Sequence, residues 1–523
     1  MEATVFRETG DEETVSGSRT KKTLKNIGFE YFNQILSLIL HFISRNIFIQ
    51  VLGVEYLGIN GLFSDILQML SLADMGFSTA MVYSFYKPLA ENDSRRMAGL
   101  VNYYRKMYMF IAIGITTLGV LLVPFLGVLV NTEKEIPFLV VYYLLNLANT
   151  VRTYLFVYKT SLITADQKQY VISKYNAIWS TASIIAQIVV LLLFHNYMIY
   201  LAVAVVMGLA NNIHISKIAD RMYPAIHEHH VELSKEEKNG IFYNLKSIFI
   251  YKLSGVLLNA TDNTLISVMI GTVWVGYYSN YEMVLYYLNL FIGIIFSSMT
   301  ASIGNLVVEE GPEKRYQIFE SLQVISYVMC GIAAPCLFFL MEDFITVWLG
   351  AEFVLDRLLL VAIVVNFYLG AVLRPVWSYR EATGLYVKIR YVMFCTAVLN
   401  IILSIILGQQ IGLAGIVFAS ALSRLLTYIW YEPYLLFKDY FNRSAVIFYK
   451  KIAVNVLAAL AVCLVCGLFA YHIHATTWLQ LFGKAILIGS ISCLGMFLFY
   501  RKTMGFQLLL EKGRQMLNIR KEH

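Results

Sequence analysis

Charge is what this sequence has least of. Only 14% of its 523 residues are charged and 58% are hydrophobic, whereas a soluble globular domain carries about one-quarter charged residues. That scarcity, with a mean hydropathy of +0.64, excludes an ordinary soluble protein. The short alternating runs of an outer-membrane barrel are missing too. In their place, apolar runs of about 20 residues recur, each long enough to cross the hydrocarbon core as a helix. No apolar targeting stretch opens the sequence. Its first 24 residues are polar and charged, which predicts a cytosolic tail rather than a cleavable signal peptide.

Cysteine chemistry is equally scarce. The six cysteines all fall in apolar segments, and the one C-x-x-C, Cys463 to Cys466, has no second pair and no polar loop. They read as small packing residues, not as a zinc or redox site. His227, His229 and His230 cluster in a polar stretch without a partner motif, so no metal site is expected. Neither a phosphate-binding glycine loop nor a catalytic-triad signature occurs. The net charge of +7 is accounted for by where the cations lie, and it calls for no nucleic acid.

The apolar runs give fourteen candidate spans, from 27–52 to 477–500. One set of loops holds the cations: Lys21 and Lys22, Arg95 and Arg96, Lys168, Lys235, Lys314, Lys388, Lys450, Arg501. The alternate loops are nearly free of them, and 131–135 (NTEKE) is acidic. The positive-inside rule then puts both termini in the cytosol. Every outer loop is short. An outer-face glycosyl polymerase or ligase needs a sizeable extracytoplasmic loop to hold its acceptor, so that class fits poorly.

The expected architecture is all-α and polytopic, with about fourteen transmembrane helices. A cytosolic tail (1–26) precedes a six-span lobe (27–222), a cytosolic linker (223–246) and a second six-span lobe (247–438). Two further spans (439–501) and an amphipathic cytosolic tail (502–523) follow. The lobes match internally. Gly53 and Gly58 correspond to Gly271 and Gly276 at an offset of 218 residues, and Glu91 corresponds to Glu309. Six spans per copy give both copies the same orientation, related by a pseudo-two-fold axis along the membrane normal, as in many transporters.

A polar stripe crosses the first span. Glu30, Gln34, Ser37, His41 and Arg45 follow one another at spacings of four, three, four and four, which places them on one helix face. The same offset carries Gln34, His41 and Arg45 onto Lys252, Asn259 and Asn263 of the seventh span. A polar stripe in a membrane faces protein or water, so two related stripes predict an aqueous cavity between the lobes. Arg152 and Lys159 in the fourth span, Arg374 and Arg380 in the tenth and Arg424 in the twelfth add cations. Each charge near a helix centre costs roughly 3 kcal/mol, so five of them would cost on the order of 15 kcal/mol. Snorkelling lowers that figure, and Lys159 and Arg380 also fit ordinary interfacial anchors. Asp65, Asp74 and Asp262 are acids inside spans. They fit structural pairing with the cations or the binding of a coupling proton or sodium ion.

The stretch VLGVEYLGINGLFSDILQMLSLADMGFSTAMVYSFYKPLAENDSRRMAGLVNYYRKMY (51–108) closely resembles the bacterial polysaccharide-precursor flippases, the Wzx-like branch of the MATE/MOP superfamily. TDNTLIS (261–267) looks like the second-half counterpart. The resemblance implies a multi-pass protein of the bacterial plasma membrane that is no enzyme. It would carry undecaprenyl-pyrophosphate-linked sugar repeat units outward by alternating access, driven by H+ or Na+ and without another cofactor. It also implies that His41, Arg45, Arg152, Lys252, Arg374 and Arg424 hold the pyrophosphate and any acidic sugars, with Lys159, Asn259, Asn263 and Arg380 beside them. Partners would be the lipid-linked oligosaccharide, membrane lipids, a polysaccharide polymerase and glycosyltransferases. A multidrug antiporter of the same superfamily is the alternative, but cationic drugs would want an acidic cavity and this one is mainly basic.

Overall fold

The computed structural model describes residues 34–71, 77–224, 233–234, 251, 253–258, 260–470 and 472–519. Lys252, Asn259, Asp74 and nearly all of the 223–246 linker lie outside them. The described chain is built from helices, with no strand. Nine helices make up its first half: α1 (Gln34–Leu52), α2 (Val54–Leu70), α3 (Phe77–Ala90), α4 (Ser94–Leu121), α5 (Leu126–Leu129), α6 (Leu139–Tyr154), α7 (Val157–Ala165), α8 (Gln169–Phe194) and α9 (Tyr197–Met222). Beyond residue 260 come α10 (Asp262–Met269), α11 (Thr272–Glu309), α12 (Pro312–Trp348), α13 (Arg357–Val372), α14 (Arg374–Thr383), α15 (Tyr386–Leu426), α16 (Tyr428–Leu436), α17 (Val446–Ala470), α18 (Trp478–Tyr500) and α19 (Met504–Ile519). Among the described residues, eight stretches are long and apolar enough to cross a membrane, or nine if the bent pair α13–α14 is one span. The protein is therefore a multi-pass membrane protein. α15 contains two passes, because Ile411 and Gly412 leave helical geometry, with Gly412 at φ +62. The reversal is tight enough that a Cβ on Gly415 would lie 2.1 Å from the Leu407 carbonyl oxygen.

The chain forms two compact units. The first takes in Met1–Gly53, Phe77–Leu121 and Pro137–Ile241. α8 packs along α9, and α9 along α6. Tyr197 is the hub at one end of α9, edge-on to Phe48 at 5.7 Å and to Tyr142 at 4.8 Å.

The second unit holds Phe242–His523 and also two earlier pieces of the chain, Val54–Gly76 and Leu122–Ile136. Glycine explains the first of these. A Cβ on Gly58 would stand 2.0 Å from the Thr272 carbonyl oxygen, and one on Gly276 2.4 Å from that of Val54. α2 and α11 thus cross backbone against backbone, at two glycines 218 residues apart. The turns just before them, at Gly53 (φ +93) and Gly271 (φ +141), also need glycine. The second piece is held by backbone hydrogen bonds. Ser267 Oγ donates to the Leu129 carbonyl (2.7 Å), and the Thr272 N–H donates to that of Asn131 (2.8 Å).

A break shapes the pair α13–α14. α13 and α14 meet at an angle of 44°. Pro375 has no N–H to return to the Ala371 carbonyl. Ser326 Oγ of α12 donates to that carbonyl instead (2.6 Å), and Gln323 Nε2 donates to Val372 O (3.1 Å). Backbone groups freed in a membrane must be met in this way.

The last two spans are docked by buried polar contacts. Lys484 of α18 pairs with Asp343 of α12 at 2.7 Å, with side chains 5% and 10% exposed. Asn455 of α17 donates to Tyr368 OH at 2.6 Å and accepts from Tyr500 OH at 2.7 Å. The expected amphipathic tail does form a helix, α19.

Candidate functional site

In the first unit the cations are held by their own neighbourhood. His41 is exposed, and its Nδ1 bonds back to the Ser37 carbonyl at 2.7 Å. Arg45 lies in the field of Tyr200, which Ser44 also hydrogen-bonds. Arg152 donates from Nε to Asn149 Oδ1 at 2.8 Å, and its guanidinium fills the space above Gly208, where a Cβ would lie 2.0 Å from Cζ. Lys159 pairs with Asp220 at 2.7 Å. Two polar contacts here went unnoticed in the sequence: Trp179 Nε1 donates to His214 Nδ1 (3.0 Å), and Asn211 donates to Asn176 (2.8 Å). A signal existed. Asn176 and Trp179 on α8, and Asn211 and His214 on α9, are each three residues apart and so share a helix face.

The second unit encloses a cavity of about 420 Å³, within the size range of small-ligand pockets. It brings together Arg374, Arg380 and Arg424, three of the expected cations, and adds aromatic rings that include Trp377 and Tyr251. The arginines are not equivalent. Arg380 is neutralised: its Nη1 donates to both carboxylate oxygens of the fully buried Glu432 at 3.2 and 3.3 Å, and its Nε to Glu381 at 3.3 Å. Tyr251 OH donates to Glu381 at 3.0 Å and completes that network. Arg374 Nη2 instead donates to the neutral amide oxygen of Asn289 (2.8 Å). Arg424 Nη1 donates to that of Asn366 (2.9 Å), and its charge also reaches Asp262. A cavity with guanidinium charge bonded to neutral amides attracts an anion.

Next to the cavity lies a carboxylate cluster. Asp65 of α2 interacts with Glu282 of α11 and Asp262 of α10, and Asn263 hydrogen-bonds Asp65. Asn263 Nδ2 also donates to Glu282 Oε2 at 3.3 Å, so this residue joins the acids rather than the cavity wall. On the other side, Asn400 donates to Ser420 Oγ (3.0 Å), which donates to Asp262 Oδ2 (3.1 Å). Asp262 Oδ1, Asn263 Oδ1, Asn400 Oδ1 and Ser404 Oγ are buried with no hydrogen-bond partner among the described residues. An unmet carboxylate oxygen on Asp262, with the unmet amide oxygens of Asn400 in its hydrogen-bond chain and of the adjacent Asn263, is what a proton or a hard cation would satisfy. Tyr278 and Arg424 line the cavity and also interact with the acids, so the two sites share a wall.

The fold is shared with solved structures of membrane transporters. Among solved structures, the lipid II flippase MurJ in an inward closed conformation superposes with a TM-score of 0.63 at 15% identity, over 90% of this chain and 99% of that one. An inward-facing MATE-family multidrug transporter gives 0.56 at 13% identity, over 75% and 93%. The MATE multidrug transporter DinF-BH gives 0.54 at 14% identity, over 79% and 94%. No protein-family model and no curated protein sequence matches the chain.

Proposed function

We propose that this protein is a flippase. It moves undecaprenyl-pyrophosphate-linked sugar repeat units from the inner to the outer leaflet of a bacterial plasma membrane, by ion-coupled alternating access. The observation that carries the reading is the cavity of the second unit, where Arg374 and Arg424 present their charge to neutral amides. A diphosphate or an acidic sugar would meet that charge, and an organic cation would be repelled. The likeness to a lipid II flippase supports a lipid-borne substrate.

Asp262 is the coupling site in this reading. Its charge and the cavity compete for Arg424. A proton or sodium ion arriving at Asp262 weakens its hold on Arg424 and leaves the guanidinium to the substrate anion. Discharge of the ion reverses the balance. Ion and substrate affinities are then linked reciprocally. The flipped product would pass to a polysaccharide polymerase, and glycosyltransferases would supply the substrate.

The test is a bacterial strain lacking the gene. Lipid-linked oligosaccharide should accumulate in its cytosolic leaflet. Wild-type protein should clear it, and Arg374→Ala, at equal membrane abundance, should not. Heightened sensitivity to cationic drugs without any accumulation would select a multidrug antiporter instead.

A further inference from the structure

The cavity wall holds a second kind of anion donor. Trp377 stands one turn beyond Arg374 on α14, and its Nε1–H is buried with no hydrogen-bond partner among the described residues. Arg374 Nε is in the same condition. Both side chains line the same cavity. A buried N–H left unmet costs about 1–3 kcal/mol, and a tryptophan brought into a nonpolar setting usually finds an acceptor for it. Three features argue that these donors are placed rather than stranded.

The first is the ring's surroundings. The guanidiniums of Arg374 and Arg380 each lie over the Trp377 ring at 5.6 Å from its centroid. These cation–π contacts fix the indole plane. The second is the backbone. Pro375 breaks the span just ahead of Trp377, and Ser326 and Gln323 hold the break by bonding the Ala371 and Val372 carbonyls. The third is the glycine beside the ring. A Cβ on Gly370 would lie 3.8 Å from Trp377 Cη2, at the edge of the indole away from Nε1, and 4.0 Å from Arg424 Nη1, so glycine leaves that edge of the ring and Arg424 in their places.

We infer that Trp377 is a specificity-determining ligand contact, whose indole N–H and the Nε–H of Arg374 together receive an oxyanion of the transported molecule. This rests on the anion-binding reading of the cavity and deepens it. The shared chemistry is an oxyanion with at least two acceptor oxygens, supplied by the diphosphate or by a sugar carboxylate. Arg374 provides charge, and Trp377 provides direction. Arg380, neutralised by Glu432, steadies the ring and is a positioning residue.

Equilibrium binding to the full-length protein in lipid nanodiscs tests this, with inorganic pyrophosphate and glucuronate as separate probes. Trp377→Phe keeps an aromatic ring over both guanidiniums but removes the N–H. Replacement of Trp377 by benzothienylalanine keeps the bicyclic shape as well, and so covers the case in which Trp377→Phe folds poorly. Loss of one hydrogen bond to a charged partner should weaken binding by roughly tenfold to a hundredfold at unchanged thermal stability. The probe that weakens identifies the source of the oxyanion. Wild-type protein that binds neither probe would sink the anion-cavity reading itself. Wild-type binding matched by both ring-keeping variants would overturn the role of Trp377 and leave that reading standing.

Discussion

The two sites of the second unit share a wall and are opposites. In the cavity, Arg374 and Trp377 present donors without acceptors; around Asp262, the unmet atoms are oxygens. One site is short of negative charge and the other of positive. Elsewhere in the unit two buried cations are matched by carboxylates, Arg380 by Glu432 and Lys484 by Asp343. The contrast teaches how to sort membrane-embedded charge. A matched pair holds helices together, and an unmatched group waits for something that comes and goes.

Asp262→Asn should have the largest effect, because it removes the charge that would bind the coupling ion. Transport in proteoliposomes should fall to background under any proton or sodium gradient. Pyrophosphate binding should not weaken, because Arg424 loses a competing carboxylate. Weaker binding in this variant would break the division into two sites.

Asp343→Leu should act on stability alone. It strands the Lys484 ammonium in a buried setting, at a cost of about 3–5 kcal/mol. Thermal unfolding in nanodiscs should drop sharply, while pyrophosphate affinity of the protein that remains folded stays at the wild-type level. A loss of affinity as large as that from an arginine of the cavity would mean that matched charges also serve the ligand.

The smallest effect belongs to the surface pair of Lys134 and Glu55. Lys134 Nζ bonds Glu55 at 2.9 Å. That hydrogen bond holds the Glu55 carboxyl below its usual range, against some desolvation. A depressed carboxyl contributes stability above its unfolded value, near pH 4, and loses it as pH falls through the folded value. Glu55→Gln should therefore differ slightly from wild type in thermal unfolding at pH 7 and not at all at pH 3. A difference that persists at pH 3 would assign the contact to packing.

Much of this was legible in the sequence, for reasons that can be named. Hydropathy and loop charge are local and strong, so a helical membrane protein was readable from the spans alone. The glycines at 53, 58, 271 and 276 stood out because turns and close crossings tolerate little else. Arg374 and Arg424 stood out because a cation inside a span is conspicuous. Their inequality with Arg380 was hidden, because Glu432 lies 52 residues further along and only folding brings it near. Asn400 and Ser420 were hidden for another reason. Small polar residues are common in membrane helices, and only their hydrogen-bond chain to Asp262 gives them meaning. Trp377 read as one more aromatic, since nothing in a sequence reveals whether an indole N–H has a partner.

The crossing of Gly58 with Gly276 has a consequence beyond packing. These residues are 218 apart, the offset read from the sequence, and each presses on the backbone beside the other. A half-length chain making this contact would meet a second copy of itself through one and the same residue, which is how isologous dimers associate. The crossing therefore has the form of such an isologous contact within one polypeptide, and neither glycine has room for a methyl group.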